Sequence, residues 1–150
     1  KSQESVINKL ERKGLPMTLS SMTNNIFDIA GIRVICPFIT DVYEVARMLL
    51  SQTDVELVQV KDYIREPKEN GYRSLHLIVK INVFFSDGMR QVPVQMRTIA
   101  MNFWASTEHQ LRYKKDKAIT PEMHARLKKC ADIMADADYQ MQKLAEEIHF

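Results

Sequence analysis

Two strand-like runs joined by a short turn constrain this chain most. Leu75 to Phe85 reads as a long strand, Ser86-Asp87-Gly88 as its turn, and Gln91 to Thr98 as the strand that returns beside it. In the returning run Gln91, Pro93, Gln95 and Arg97 alternate with Val92, Val94 and Met96. A period of two places the first set on one face of a sheet and the second on the other, so one face can line a cleft while the other is core. Pro93 has no N–H for a ladder, which predicts that this strand lies at an edge or carries a local bulge.

A hairpin with one apolar face has to be covered, and the neighbouring segments supply the cover. Ser2 to Arg12 has helical spacing at Val6, Ile7 and Leu10, and Gly14 and Pro16 stop it. A second short helix or turn is expected over Leu19 to Ile26, and Asp28 to Cys36 reads as a buried strand ended by Pro37. Thr40 to Leu50 is a helix behind a Thr40-Asp41 cap, and Val55 to Val60 is a strand. Thr98 to Tyr113 is a helix whose aromatic pair, Phe103 and Trp104, is expected in the core. Thr120-Pro121 opens a long amphipathic helix over Met123 to Ile148, with a stripe at Leu127, Ile133, Met134, Ala137, Met141, Leu144 and Ile148. A terminal helix of this length is expected to protrude or to pack on a neighbour, which predicts a homo-oligomer. The sum is an α+β fold, a mixed β-sheet of about five strands flanked by helices.

Composition narrows the function classes. With 150 residues, 45% of them hydrophobic and 27% charged, the chain suits one globular domain, residues 1–150, rather than a disordered or membrane-inserted segment. The net charge is only +2, so any affinity for anions has to come from local clustering. Cys36 and Cys130 lie far apart with no CxxC, which argues against zinc and for a reducing compartment, with both thiols as small apolar fillers. No signal peptide or long apolar run occurs, so the expected location is cytoplasmic, with no membrane partner. The first residue, Lys1, stands inside a charged segment, and an N-terminal part is expected to be missing.

Local clustering is what Lys68-Glu69-Asn70-Gly71-Tyr72-Arg73-Ser74-Leu75-His76 provides. Asn-Gly breaks the chain before a strand, and Lys68 and Arg73 offer point-charge and fork donors for phosphate. Ser74 and His76 add hydrogen bonds, and Tyr72 offers a ring on which a base can stack. The plainer alternative is a hairpin turn with solvated polar residues. Lys61 to Pro67 reads as a mixed-charge loop leading into this stretch. Asp28, at the head of an apolar strand, is either a capping residue or one ligand of a Mg²⁺ that also binds substrate phosphates. Arg33 inside the same run calls for an anionic or stacked partner. The basic run Arg112 to Lys117 is a solvated helix end, or a site for RNA phosphates.

Taken together, Asp28-Ile-Ala-Gly-Ile-Arg-Val, Asn70-Gly-Tyr-Arg-Ser-Leu-His, Gln95-Met-Arg-Thr and Ala100-Met-Asn-Phe-Trp-Ala-Ser-Thr-Glu-His resemble the synthetase domain of the RelA/SpoT alarmone enzymes. Within that family the chain looks most like the single-domain small alarmone synthetases of the RelQ group. The resemblance implies a nucleotidyltransferase-like fold and a GTP/GDP pyrophosphokinase. Such an enzyme moves the β,γ-pyrophosphate of ATP to the ribose 3′-hydroxyl of GDP or GTP, with Mg²⁺, to make the (p)ppGpp of the stringent response. By position it implies that Lys1, Ser5 and Lys9 hold ATP phosphates, Arg33 stacks on adenine, and Asp28 is the catalytic metal ligand. Tyr72 would stack on guanine, with Lys68, Arg73, His76, Gln95 and Asn102 as further contacts to the acceptor nucleotide. It also implies a homotetramer, with single-stranded RNA or an alarmone as a possible regulator.

The chain departs from the family pattern at two places. The arginine that would stand two residues before Lys1 is not in the sequence, and Pro93 occupies the position of a glutamate two residues before the strand glutamine. Three readings of Pro93 stay open: impaired transfer, substitution by a carboxylate such as Asp87, or a two-residue difference in hairpin length. Two other functions stay open with them. One is a toxin-type relative that modifies tRNA 3′ ends, and the other is a catalytically silent nucleotide- or RNA-binding regulator.

Overall fold

The structure is a computed structural model that describes residues 3–16, 31–82, 88–113 and 120–148, the side chains of residues 3–6, 9, 89 and 113 excepted. The expected helix over Leu19–Ile26, the strand head at Asp28 and the Ser86-Asp87 turn lie outside the described residues. Helix α1 (Gln3–Arg12) buries Leu10 and ends where Gly14 takes φ 64, with the Leu15 amide donating to the Leu10 carbonyl at 3.0 Å. This left-handed glycine closes the helix as expected.

Four strands form one sheet: β1 (Ile32–Cys36), β2 (Val55–Asp62), β3 (Leu75–Asn82) and β4 (Met89–Thr98), in the order β1-β4-β3-β2. The pair β1 and β4 is parallel, while β4 with β3 and β3 with β2 are antiparallel, so the sheet is mixed. About five strands were expected, and the described residues contain four. Helix α2 (Ile39–Leu50) lies on the apolar face. Its Val42 and Ala46 join Cys36, Leu75, Leu77, Val79, Val94 and Met96 in the main core. Each large aliphatic side chain buried there contributes roughly 1.5–3 kcal/mol relative to exposure.

Several expectations need correction. The strand β4 is not at an edge: it pairs on both sides, and its described ladder with β1 opens at Val94, one residue after Pro93. The proline is tolerated because that ladder begins only past it. Strands β1 and β2 are the edges of the described sheet instead. In β1, Ile32 is 51% exposed, and only Cys36 is buried, where the chain turns into α2. The N-cap of α2 is Phe38 and no side chain caps it; Thr40 points its amide and hydroxyl at Gln142 Oε1, at 3.1 and 3.2 Å. Cys36 behaves as a buried filler, but Cys130 is exposed.

Helix α3 (Ile99–Tyr113) follows β4 directly. Thr98 makes that junction: its hydroxyl accepts from the Met101 amide at 3.2 Å and donates to Asp138 Oδ2 at 2.5 Å. Of the aromatic pair only Trp104 is core, donating from Nε1 to the Leu127 carbonyl at 2.9 Å, while Phe103 is 60% exposed. Neighbouring helix positions lie about 100° apart, and here the core side takes Trp104 and Ala105 and leaves Phe103 outside. Helix α4 (Pro121–Ile148) starts at a Thr120 cap, whose hydroxyl accepts from the Met123 amide at 3.2 Å. It buries Ala131, Asp138 and Gln142, not the apolar stripe as a whole. Ile133, Met141, Leu144 and Ile148 are exposed.

Candidate functional site

The connection from β2 to β3 carries the site, and three local devices shape it. Asp62 ends β2 by accepting from the Ile64 and Arg65 amides at 3.0 and 3.1 Å and from the Tyr43 hydroxyl at 3.0 Å, which ties the bend to α2. Burial and this carboxylate push the Tyr43 phenol above its usual range. Asn70 Oδ1 accepts from the Tyr72 amide at 3.1 Å, and Gly71, at φ 87, supplies the left-handed turn. Ser74, fully buried, donates to the Met96 carbonyl at 3.1 Å and locks the loop's exit onto β4.

These devices bring Tyr72 against Tyr63 and His76 in an edge-to-face trio, with ring centroids 6.0, 5.2 and 5.8 Å apart. Arg97 donates to the Tyr72 hydroxyl at 2.7 Å, to Gln95 Oε1 at 3.3 Å and to Asn102 Oδ1 at 3.5 Å. The Tyr72 hydroxyl meets His76 Nε2 at 2.8 Å. Burial first, and then the charges of Arg97, Lys68 and Lys61, lower the His76 pKa to about 4, so the ring is neutral at ordinary pH. The Lys68 ammonium rests 4.8 Å from the Tyr63 ring centre and 5.0 Å from that of Tyr72.

Strand register extends the site across the polar face. Lys61 pairs with His76, His76 with Gln95, and Gln95 with Arg33, one cross-strand row over all four strands. Beside it is a cleft of about 120 Å³ lined by Gln59, Lys61, His76, Ile78, Pro93 and Gln95. Cations gathered around neutral hydrogen-bonding groups and aromatic rings suit a phosphorylated, base-bearing ligand.

The structure thus brings together Lys68, Tyr72, His76, Gln95 and Asn102 of the expected residues. Arg33 shares their row but is exposed, contrary to the buried position that its apolar run suggested. Arg73 turns away from the trio. It donates to the Gly71 and Ala131 carbonyls at 3.1 and 3.3 Å and faces Asp132 at 3.5 Å, clasping the loop to α4. Ser5 and Lys9 lie on α1 with side chains outside the described residues, and Lys1 and Asp28 lie outside them altogether. Among the described residues no three His, Cys, Asp or Glu side chains gather to hold a metal. The hydroxyl, amide and cationic donor set around Arg97 likewise suits an anion and not Mg²⁺.

A profile of the region found in RelA / SpoT proteins matches residues 1–118. The chain belongs to the RelA/SpoT family. Its relatives include the GTP pyrophosphokinase YwaC of Bacillus subtilis strain 168, 45% identical over 150 residues, 99% of this chain and 71% of that protein. The small alarmone synthetase 2 of Bacillus subtilis superposes with a TM-score of 0.87 at 43% identity, covering 98% of this chain and 77% of that one. The small alarmone synthetase 1 of Bacillus subtilis, in a crystal structure bound to its product pppGpp, gives a TM-score of 0.85 at 36% identity, over 100% of this chain and 76% of that one.

Three residues of this RelA/SpoT chain escaped the sequence reading of the site. Lys61 was placed in a loop, but β2 runs on to Asp62 and sets Lys61 beside His76. Arg97 was legible as a polar-face residue, but not as the hub of the cluster. Tyr63 carried no signal of its own, because its role depends on loop closure. No helix among the described residues is long and apolar enough to cross a membrane.

Proposed function

We infer that this chain is a GTP pyrophosphokinase that makes (p)ppGpp, moving the pyrophosphate of ATP to the ribose 3′-hydroxyl of GDP or GTP. One observation carries the reading. Arg33, which the resemblance assigns to ATP, stands in the same cross-strand row as Gln95 and His76, which it assigns to the acceptor. Two nucleotides held at adjoining positions of one row would meet end to end, as an in-line transfer requires. The named activities of the relatives favour this reading over tRNA modification or silent binding.

On this reading the acceptor's guanine stacks on Tyr72 as Lys68 lifts from the ring to meet phosphate. Lys61 and Lys68 balance phosphate charge, Gln95, Asn102 and neutral His76 orient the acceptor, and Arg73 braces the loop rather than the ligand. Lys1, Ser5 and Lys9 hold ATP phosphates, and Arg33 lies on adenine. The 3′-oxygen forms a bond to the β-phosphorus as the bond from that phosphorus to the α,β-bridging oxygen breaks. AMP leaves, and the hydroxyl proton departs to a base. Asp28 is the catalytic carboxylate of the reading and its only assigned ligand for Mg²⁺, which when bound supplies charge neutralisation. The enzyme works in the cytoplasm as a homo-oligomer, a tetramer by resemblance, for which the exposed stripe of α4 offers a face; RNA or an alarmone would act on that assembly.

The test is AMP release from ATP with GDP or GTP, the nucleotide product being resolved by anion exchange. Wild-type protein should release AMP and form ppGpp or pppGpp, and Asp28→Ala should lower turnover at least about a hundredfold. Tight GDP binding without AMP would overturn the reading in favour of a silent regulator, and turnover with tRNA alone would replace the acceptor.

A further inference from the structure

Arg97 is only 5% exposed, yet its hydrogen-bond partners among the described residues are a hydroxyl and two amide oxygens, none of them anionic. Its Nε has no partner among the described residues. No carboxylate meets Arg97 among the described residues, and a buried guanidinium so placed is costly, which packing alone does not call for. The three partners come from three elements: Tyr72 from the loop after β2, Gln95 from β4 and Asn102 from α3. Its Cζ also lies 5.2 Å from the Tyr72 ring centre, so the same group fixes both the hydroxyl and the plane of that ring.

We propose that Arg97 is a positioning residue for the acceptor nucleotide, acting through Tyr72, Gln95 and Asn102, which its planar fork holds in one constellation. The inference rests on the synthetase reading for the identity of the acceptor. Lysine would keep the charge but, as a point donor, could not span three partners from three elements. Charge and fork therefore leave separate signatures. The charge is sensed by His76, which Arg97 faces from β4, Lys61 from β2, and Lys68, Tyr63 and Tyr72 from the loop. The fork is sensed by the acceptor.

The experiment compares wild type, Arg97→Lys and Arg97→Gln in two measurements: titration of the His76 imidazole by NMR without ligand, and KM for GDP and for ATP. In Arg97→Gln the His76 pKa should rise above about 4 but stay below the ordinary 6.5, because burial, the larger cause, remains, and KM for GDP should rise about tenfold with KM for ATP within about twofold. In Arg97→Lys His76 should stay low while KM for GDP still rises. Wild-type KM for GDP in Arg97→Lys would overturn the proposal, as would both KM values moving in step with lost stability, the mark of a purely structural arginine. If Arg97→Gln does not fold, Arg97→Lys alone decides. If the wild type releases no AMP, the synthetase reading falls, and calorimetric GDP affinity of wild type against Arg97→Lys decides the positioning role. Equal affinities, or no binding by either, would sink it.

Discussion

At the scale of single residues, the loop that carries Tyr72 is held by contacts that leave little room for change. A Cβ added at Gly71 would come 2.5 Å from the Ala131 Cβ, at a backbone φ of 87. Gly71→Ala should therefore cost about 2–4 kcal/mol, the left-handed strain and the collision together, measured by urea unfolding. Adding Ala131→Gly should recover only the collision. His76 gives a second prediction. Its folded pKa, about 4, lies below the ordinary 6.5, so the unfolded chain binds the extra proton first. Stability should fall as pH drops from about 6.5 to about 4 and lose nothing further on His76's account below that. Asp138 works in the opposite sense, because burial raises its pKa and the folded chain takes up its proton more readily on acidification. The difference in urea midpoint between about pH 7 and about pH 5 should therefore shrink in His76→Gln, which isolates the histidine.

At the scale of elements, the junction of β4 with α3 and α4 rests on one hydroxyl. Thr98 caps α3 through the Met101 amide and is the hydrogen-bond donor to buried Asp138. Thr98→Val removes the cap and strands a carboxyl, and should cost about 2–4 kcal/mol in thermal or urea unfolding, whereas Thr98→Ser should cost much less. The elements themselves were largely legible. The period-two alternation of β4 and the Gly14 and Thr120-Pro121 signals are local, and local signals survive folding. What misled was neighbourhood. Pro93 argued for an edge because a proline disrupts a ladder, but whether a ladder exists at that height depends on where β1 begins. The apolar run at β1 argued for burial, yet the strand lies at the sheet's edge with only its C-terminal end covered.

At the scale of the whole molecule, α4 contributes two faces. One, with Ala131, Asp138 and Gln142, is spent on the fold through Arg73, Thr98 and Thr40. The other, with Ile133, Met141, Leu144 and Ile148, is half or more exposed. If this second face joins copies of the chain, Leu144→Glu should lower the mass measured by light scattering while leaving the circular dichroism of the folded chain unchanged, because a side chain 50% exposed is not core. An unchanged mass would assign the assembly to another surface.

The sequence by itself determined the α+β class, the faces of the hairpin and, through four motifs in order, the family and the residue types a nucleotide site needs. These depend on side-chain period and local turn chemistry, which a chain carries wherever it folds. Only the tertiary structure decided that Arg97 is a buried hub joining Tyr72, Gln95 and Asn102, that Lys61 joins His76 and Gln95 in one row, and that Arg73 braces a helix. Each of those depends on which strands lie side by side and which loop closes over them, a long-range outcome of packing that no single stretch of sequence encodes.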